Sequence, residues 1–150
     1  MLRRIACGTL LCAMAALAGA CGSTTTTPTT PTTPTPTTTT ETFQGLLNPA
    51  GTVVISFVTQ TGGAVTATLS AVGPDSTQTI GFSLGTYTPA LHTCSVNFDN
   101  PAALQASVFN ATATSTGFYC VRMYDNGSVT AAAAAGTAQA FTYTVVVTHP

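Results

Sequence analysis

From residue 42 onward apolar side chains recur at every second position, and this period restricts the fold more than any other feature of the chain. Val53, Ile55 and Phe57 share one side of an extended segment. Val65, Ala67, Leu69 and Ala71 do so in the next, with Thr66, Thr68 and Ser70 opposite, and Ile80, Phe82 and Leu84 alternate with Gly81, Ser83 and Gly85. A period of two separates a core face from a solvent face only in a pleated strand; a helix would spread the same residues around its circumference. Cys94–Phe98, Leu104–Phe109, Phe118–Tyr124 and Phe141–Thr148 continue the pattern. Gly62-Gly63 predicts a hairpin turn joining the first two of these segments. The Ala131–Ala135 run, between Thr130 and Gly136, reads as a hairpin insertion in preference to a helical turn. Short strands with turn signals between them predict an all-β, antiparallel sandwich of about 7–8 strands.

Residues 42–150 are enough for one such domain and too few for two. Of the chain's five cysteines, Cys7 and Cys12 lie in an apolar N-terminal segment and Cys21 at its end, leaving Cys94 and Cys120 as an even pair. The expectation is a structural disulfide in an oxidising compartment. Closing a loop of that length stabilises by about 3.5 kcal/mol on the chain-entropy argument. The rivals are a metal site or a nucleophile, but there is no CxxC spacing and no close pair of histidines.

The N-terminal segment has the layout of a secretory signal over residues 1–20. Arg3 and Arg4 are followed by 16 uncharged residues, Ile5 to Ala20. That run is short of the roughly 20 residues a spanning helix needs. Leu17-Ala18-Gly19-Ala20-Cys21 closes it as a lipobox does, which predicts thioether lipidation of Cys21 and cleavage before it. Ordinary cleavage after Ala20 is the alternative. Each buried methylene contributes ~0.8 kcal/mol and a single chain anchors only marginally, so a multi-acyl modification is what would hold Cys21 in a membrane. Gly22 in place of Asp resembles the pattern of outer-membrane retention in a cell with two membranes. Thr24 to Thr40 are 13 threonines and 4 prolines. With nothing apolar to bury, residues 21–41 predict a disordered, extended spacer at about 3.1 Å per residue. The predicted setting is a bacterial cell envelope, with the membrane as a partner through the lipid.

Past Cys21 the only cation is Arg122, against Glu41, Asp75, Asp99 and Asp125, a formal charge of −3. One arginine cannot neutralise a phosphate backbone, so nucleic acid is excluded as a partner. Electrostatic attachment to anionic lipid fails for the same reason. The surface has to be built mainly from Thr, Ser, Asn and Gln.

Gly117-Phe-Tyr-Cys-Val-Arg-Met-Tyr-Asp-Asn-Gly127, followed by Phe141-Thr-Tyr-Thr-Val-Val-Val-Thr-His149, resembles the closing hairpin of the bacterial pre-peptidase C-terminal domain. Phe43-Gln-Gly-Leu46 with the Val53–Val58 strand, and Ala64-Val-Thr-Ala-Thr-Leu69, are similar to its earlier strands. The resemblance implies a jelly-roll-like β-sandwich, found beside secreted peptidases or as a free-standing envelope module. Some relatives bind collagen or polysaccharide, and some bind calcium through acidic residues near the first strand. Here that region holds Glu41 alone before Asp75, so calcium is doubtful and no cofactor is expected.

Catalytic constellations are sparse. Both histidines, His92 and His149, read as ordinary solvated side chains, and His149 stands next to the terminal residue, where fraying would spoil catalytic geometry. No serine sits in a nucleophile elbow, and no phosphate loop or carboxylate pair appears. Arg122 shares parity with Phe118, Cys120 and Tyr124. The bland reading pairs it with Asp99, Asp125 or a strand-end carbonyl. The sharper one sets it beside Tyr119 or Tyr124 to grip a ligand carboxylate or stack on a sugar. Asp125-Asn126-Gly127 reads as a turn. The sequence therefore predicts a non-enzymatic interaction or structural module whose partner is an unknown envelope protein or polymer. The alternative is a polysaccharide- or fibrous-protein-binding module using Arg122, Tyr119 and Tyr124; a hydrolase is more remote.

Overall fold

The computed structural model of the chain describes residues 37–150. The signal segment, Cys21 with its expected lipid and the linker up to residue 36 lie outside the described residues. The elements are β1 (Thr39–Leu47), β2 (Thr52–Thr59), β3 (Gly63–Gly73), β4 (Ile80–Thr88), β5 (Thr93–Ala103), β6 (Val108–Ala113), β7 (Gly117–Tyr124), α1 (Ser128–Ala134) and β8 (Phe141–His149). They form two antiparallel four-stranded sheets, β1-β8-β3-β6 and β2-β7-β4-β5. Strand β1 begins at Thr39, so the last two threonines of the Thr/Pro run and Glu41 belong to the sheet.

The pairing is nested: β1 with β8, β2 with β7, β3 with β6, β4 with β5. A long antiparallel ribbon folded over on itself gives this order, and it is the jelly-roll form of the β-sandwich. Its consequence is that only β4 and β5 are both consecutive and paired. Gly62-Gly63 is therefore not a hairpin turn but the crossing from β2 in one sheet to β3 in the other. The segment read as a closing hairpin is likewise split, β7 lying in one sheet and β8 in the other. Between them the Ala-rich stretch forms α1, contrary to its reading as a hairpin insertion. Alanine has the best helix propensity, and here the chain has to cross the sandwich, not turn back along a neighbour. Val129 anchors α1 in the core. Leu104 to Ser107, expected within a strand, forms a tight turn before β6 in which the Ser107 amide donates to the Leu104 carbonyl at 3.0 Å.

The inward side chains of both sheets make one core, in which Phe82, Phe141, Leu47, Leu69, Ile80 and Met123 are the largest fully buried groups. Burying each such side chain contributes roughly 1.5–3 kcal/mol. Strand β4 is unusual because Ile80 to Leu84 and Gly85 are all buried, on both faces. Its inward Ile80, Phe82 and Leu84 face the core. Its outward Gly81, Ser83 and Gly85 form a shallow trough filled from above by side chains of β7 and β5. A Cβ on Gly81 would lie 2.3 Å from the Tyr124 ring, and one on Gly85 would lie 2.0 Å from the Ser95 carbonyl oxygen.

The register of β4 with β5 shifts between Leu84 and Gly85, where Leu84 faces Phe98 and Gly85 faces Val96. This bulge reverses the parity of β5. Cys94 and Asp99 are five residues apart and would face opposite sides of a regular strand, yet both lie on the outer face. There Cys94 joins Cys120 of β7 with Cα atoms 5.8 Å apart. The disulfide thus ties the edge strand β5 to β7 across β4.

Candidate functional site

On the outer face of β2-β7-β4-β5 the register sets Val54, Arg122, Ser83 and Asp99 in one row, one residue from each strand. The Ser83 hydroxyl donates to Asp99 Oδ1 at 2.6 Å. The Tyr124 hydroxyl donates to both oxygens of the same carboxylate, at 3.1 and 3.0 Å. Arg122 Nη2 lies 3.8 Å from Asp99 Oδ1 and donates to Ser83 Oγ at 3.4 Å, while its guanidinium carbon sits 4.8 Å from the centre of the Tyr124 ring. Burial first, and then the bonds to Asp99, push the Tyr124 hydroxyl above its ordinary value, so it stays a donor. The four side chains brace three strands. Arg122 Nε is buried with no partner of its own, so the guanidinium is held by stacking and charge more than by a complete set of hydrogen bonds.

Of the partners that the sequence left open for Arg122, the fold selects Asp99. Asp125 is occupied elsewhere. It accepts from the amides of Ala50 at 2.9 Å, Gly127 at 2.8 Å, Val129 at 3.0 Å and Thr130 at 3.1 Å, and from the Thr130 hydroxyl. Burial would raise its pKa, but the bonds from Thr130, Ala50, Gly127 and Val129 outweigh it and hold the carboxyl below the usual range. Asp125-Asn126-Gly127 is therefore the entry to α1, with Gly127 at φ 105 as the N-cap residue. Tyr119 does not join Arg122 and Tyr124. It projects to the inner side, where its ring stacks on Phe57 with centroids 5.9 Å apart.

Neither histidine meets Asp99. His92 Nδ1 is 3.2 Å from the Tyr87 hydroxyl in the β4–β5 hairpin. His149 is not a frayed, solvated residue: it is 3% exposed, packs on Phe57 at 5.2 Å, and has Nε2 2.8 Å from Glu41 Oε1. Sequence reasoning missed this because position in the chain said nothing of the nine-residue ladder that pins β8 to β1.

A second feature lies between the sheets: a half-open cleft of about 390 Å³, walled by Leu84, Phe98 and Tyr119 on one side and Val65, Ala111 and Ala113 on the other. Among the described residues no three His, Cys, Asp or Glu side chains converge to hold a metal ion. No helix of the described residues is long and apolar enough to cross a membrane.

Fold and faces together define an eight-stranded, disulfide-tied jelly-roll sandwich with a braced outer sheet and an inter-sheet cleft. Compared with the models of known protein families and with curated proteins, the chain matches none.

Proposed function

We propose that the protein is a non-enzymatic lipoprotein of a bacterial envelope. Lipid on Cys21 would hold it in the membrane, residues 22–38 would act as a stalk, and the sandwich would be displayed as an interaction or structural module. The observation that carries this reading is the way the spacer enters the fold. Thr39 to Leu47 pair residue for residue with His149 to Phe141, and Glu41 meets His149 at the stalk end of that ladder. Antiparallel hydrogen bonds lie perpendicular to the strands, so a pull in line with β1 loads the whole ladder together instead of opening it bond by bond. A module held through its N-terminal strand would be carried by that whole ladder. The resemblance to the pre-peptidase C-terminal domain belongs to the same proposal, carried by its strand segments and not by a closing hairpin.

The non-enzymatic part rests on the outer face. Ser83, Tyr124 and Arg122 all converge on the Asp99 carboxylate, a set of contacts that braces β4, β5 and β7 and supports a structural reading of this face. The adhesion alternative through Arg122, Tyr119 and Tyr124 draws no support from the geometry, since Tyr119 is on the far side of the sheet and Arg122 is engaged by Asp99. Fractionation of cells expressing the protein and its Cys21→Ala variant tests the anchor. The wild-type chain is expected processed and in the membrane fraction, and the variant either soluble or unprocessed; identical processing and partitioning of the two sinks the proposal.

A further inference from the structure

The inter-sheet cleft has a cause in the sequence of β6. Its inward positions are Phe109, Ala111 and Ala113. Phe109 stacks on Phe82 at 5.0 Å and meets Phe98 at 6.1 Å, filling the space between the sheets. On the same side of Phe109, Leu69 exchanges backbone bonds with Ser107 and Ala106 at 2.9 and 2.7 Å, holding the β5–β6 turn closed. Farther along β6 the two alanines are too short to reach the opposite wall. The sandwich is left open beside Phe98 and Tyr119, with Phe98 43% exposed although it faces inward. At about 390 Å³ the space falls in the range of small-molecule sites, about 300–1,000 Å³.

The chemistry of the lining is selective. No charged side chain borders the cleft, so a charged ligand would shed its hydration without finding a partner. Thr86 breaks the inward apolar series Ile80, Phe82, Leu84, and its hydroxyl donates to Asn97 Oδ1 at 3.4 Å. Asn97, which lines the cleft and accepts through Oδ1, keeps an amide nitrogen able to donate to a ligand. Phe98 and Tyr119 offer ring surfaces, and Ala111 and Ala113 a smooth facing wall, which suits a flat body. We propose that this cleft binds a neutral small molecule with a flat apolar body of one or two rings and an oxygen that accepts from Asn97. The proposal depends on neither the anchor nor the display role, and failure of one leaves the other standing.

Prodan, a neutral naphthalene ketone with polarity-sensitive fluorescence, is a direct probe of the oxidised full-length protein. Saturable binding at one site per chain is expected, with amide shifts in the wild-type protein gathered at Leu84, Asn97, Ala111 and Tyr119. Ala111→Leu, which fills the cleft from its open wall, is expected to abolish binding; Asn97→Ala should weaken it about three- to tenfold, the effect of one hydrogen bond. Phe118→Ser, on the outer face, should leave it unchanged. Absence of saturable binding, shifts gathered around Phe118, or undiminished binding to a folded Ala111→Leu protein overturns the proposal. So does a concentration-dependent dimer that Ala111→Leu disperses, because the cleft would then hold a second copy of the chain. The shift map needs no variant, so the test survives a substitution that fails to fold.

Discussion

His149 Nε2 lies 2.8 Å from Glu41 Oε1, joining the last strand to the first across 108 residues of sequence. The two partners are unequal: the imidazole is 3% exposed and the carboxylate 37%. Most of what His149 contributes is therefore packing against Phe57, and most of what Glu41 contributes is the partner that a buried ring nitrogen requires.

This asymmetry predicts unequal mutants. His149→Ala removes a buried ring and is expected to destabilise by about 3 kcal/mol. Glu41→Ala removes a half-exposed partner and should cost about 1 kcal/mol, within the range of a single net hydrogen bond. Urea unfolding of both variants checks the order. Equal losses would mean that packing on Phe57 contributes little.

Asp125 should shape the acid limb of stability. Its pKa in the folded chain lies below its ordinary value of about 3.9, because the amide and hydroxyl donors favour the charged form more than burial opposes it. The stabilisation is then fully present above the unfolded pKa and is lost as pH falls through the folded one. Thermal unfolding between pH 6 and pH 2 should show Asp125→Asn least stable relative to wild type at pH 6, with the gap narrowing in acid. Asp75, held low by the amide and hydroxyl of Thr77, is present in both proteins and cancels from the difference. A gap that is constant with pH would refute this assignment.

The two glycines of the β4 trough should differ. A Cβ at Gly81 meets the Tyr124 ring, which can swing away at the loss of its Asp99 bonds, at roughly 1–2 kcal/mol. A Cβ at Gly85 meets the backbone oxygen of Ser95, on a strand tied by the Cys94–Cys120 disulfide, and has no such escape. Gly85→Ala is expected to cost at least about 3 kcal/mol, the upper end of overpacking. Comparing the two melting temperatures under oxidising conditions decides the matter. A milder effect at Gly85 would mean that β5 yields.

How far the sequence was legible follows from which interactions are local. Strands announce themselves through parity, and the seven later strands fall on or overlap the segments marked by alternating apolar residues. The exceptions are instructive. Gly62-Gly63 has turn chemistry, but turn chemistry does not say whether the chain returns along its neighbour or crosses to another sheet. The alanine run has the right propensity for a helix, but two flanking strands argue for a hairpin insertion, and only the crossing between sheets decides for α1. Arg122 and Tyr124 share a face by simple parity. Their partner Asp99 reaches that face only through the bulge near Asn97, which nothing in the sequence marks.

By itself the sequence determined that the chain from about residue 40 is all-β, that its alternating residues make a two-sided core, and that Cys94 and Cys120 are available to pair. It also leaves Arg122 as the only cation past Cys21. These properties are carried by neighbours along the chain or by composition. Only the tertiary structure decided that the strands nest as a jelly roll, that His149 is clamped to Glu41, that Arg122 is engaged by Asp99, and that two alanines of β6 leave a cleft open. Each of these depends on which distant strand lies opposite. That choice is set by the summed burial of two sheets, which no local window of sequence contains.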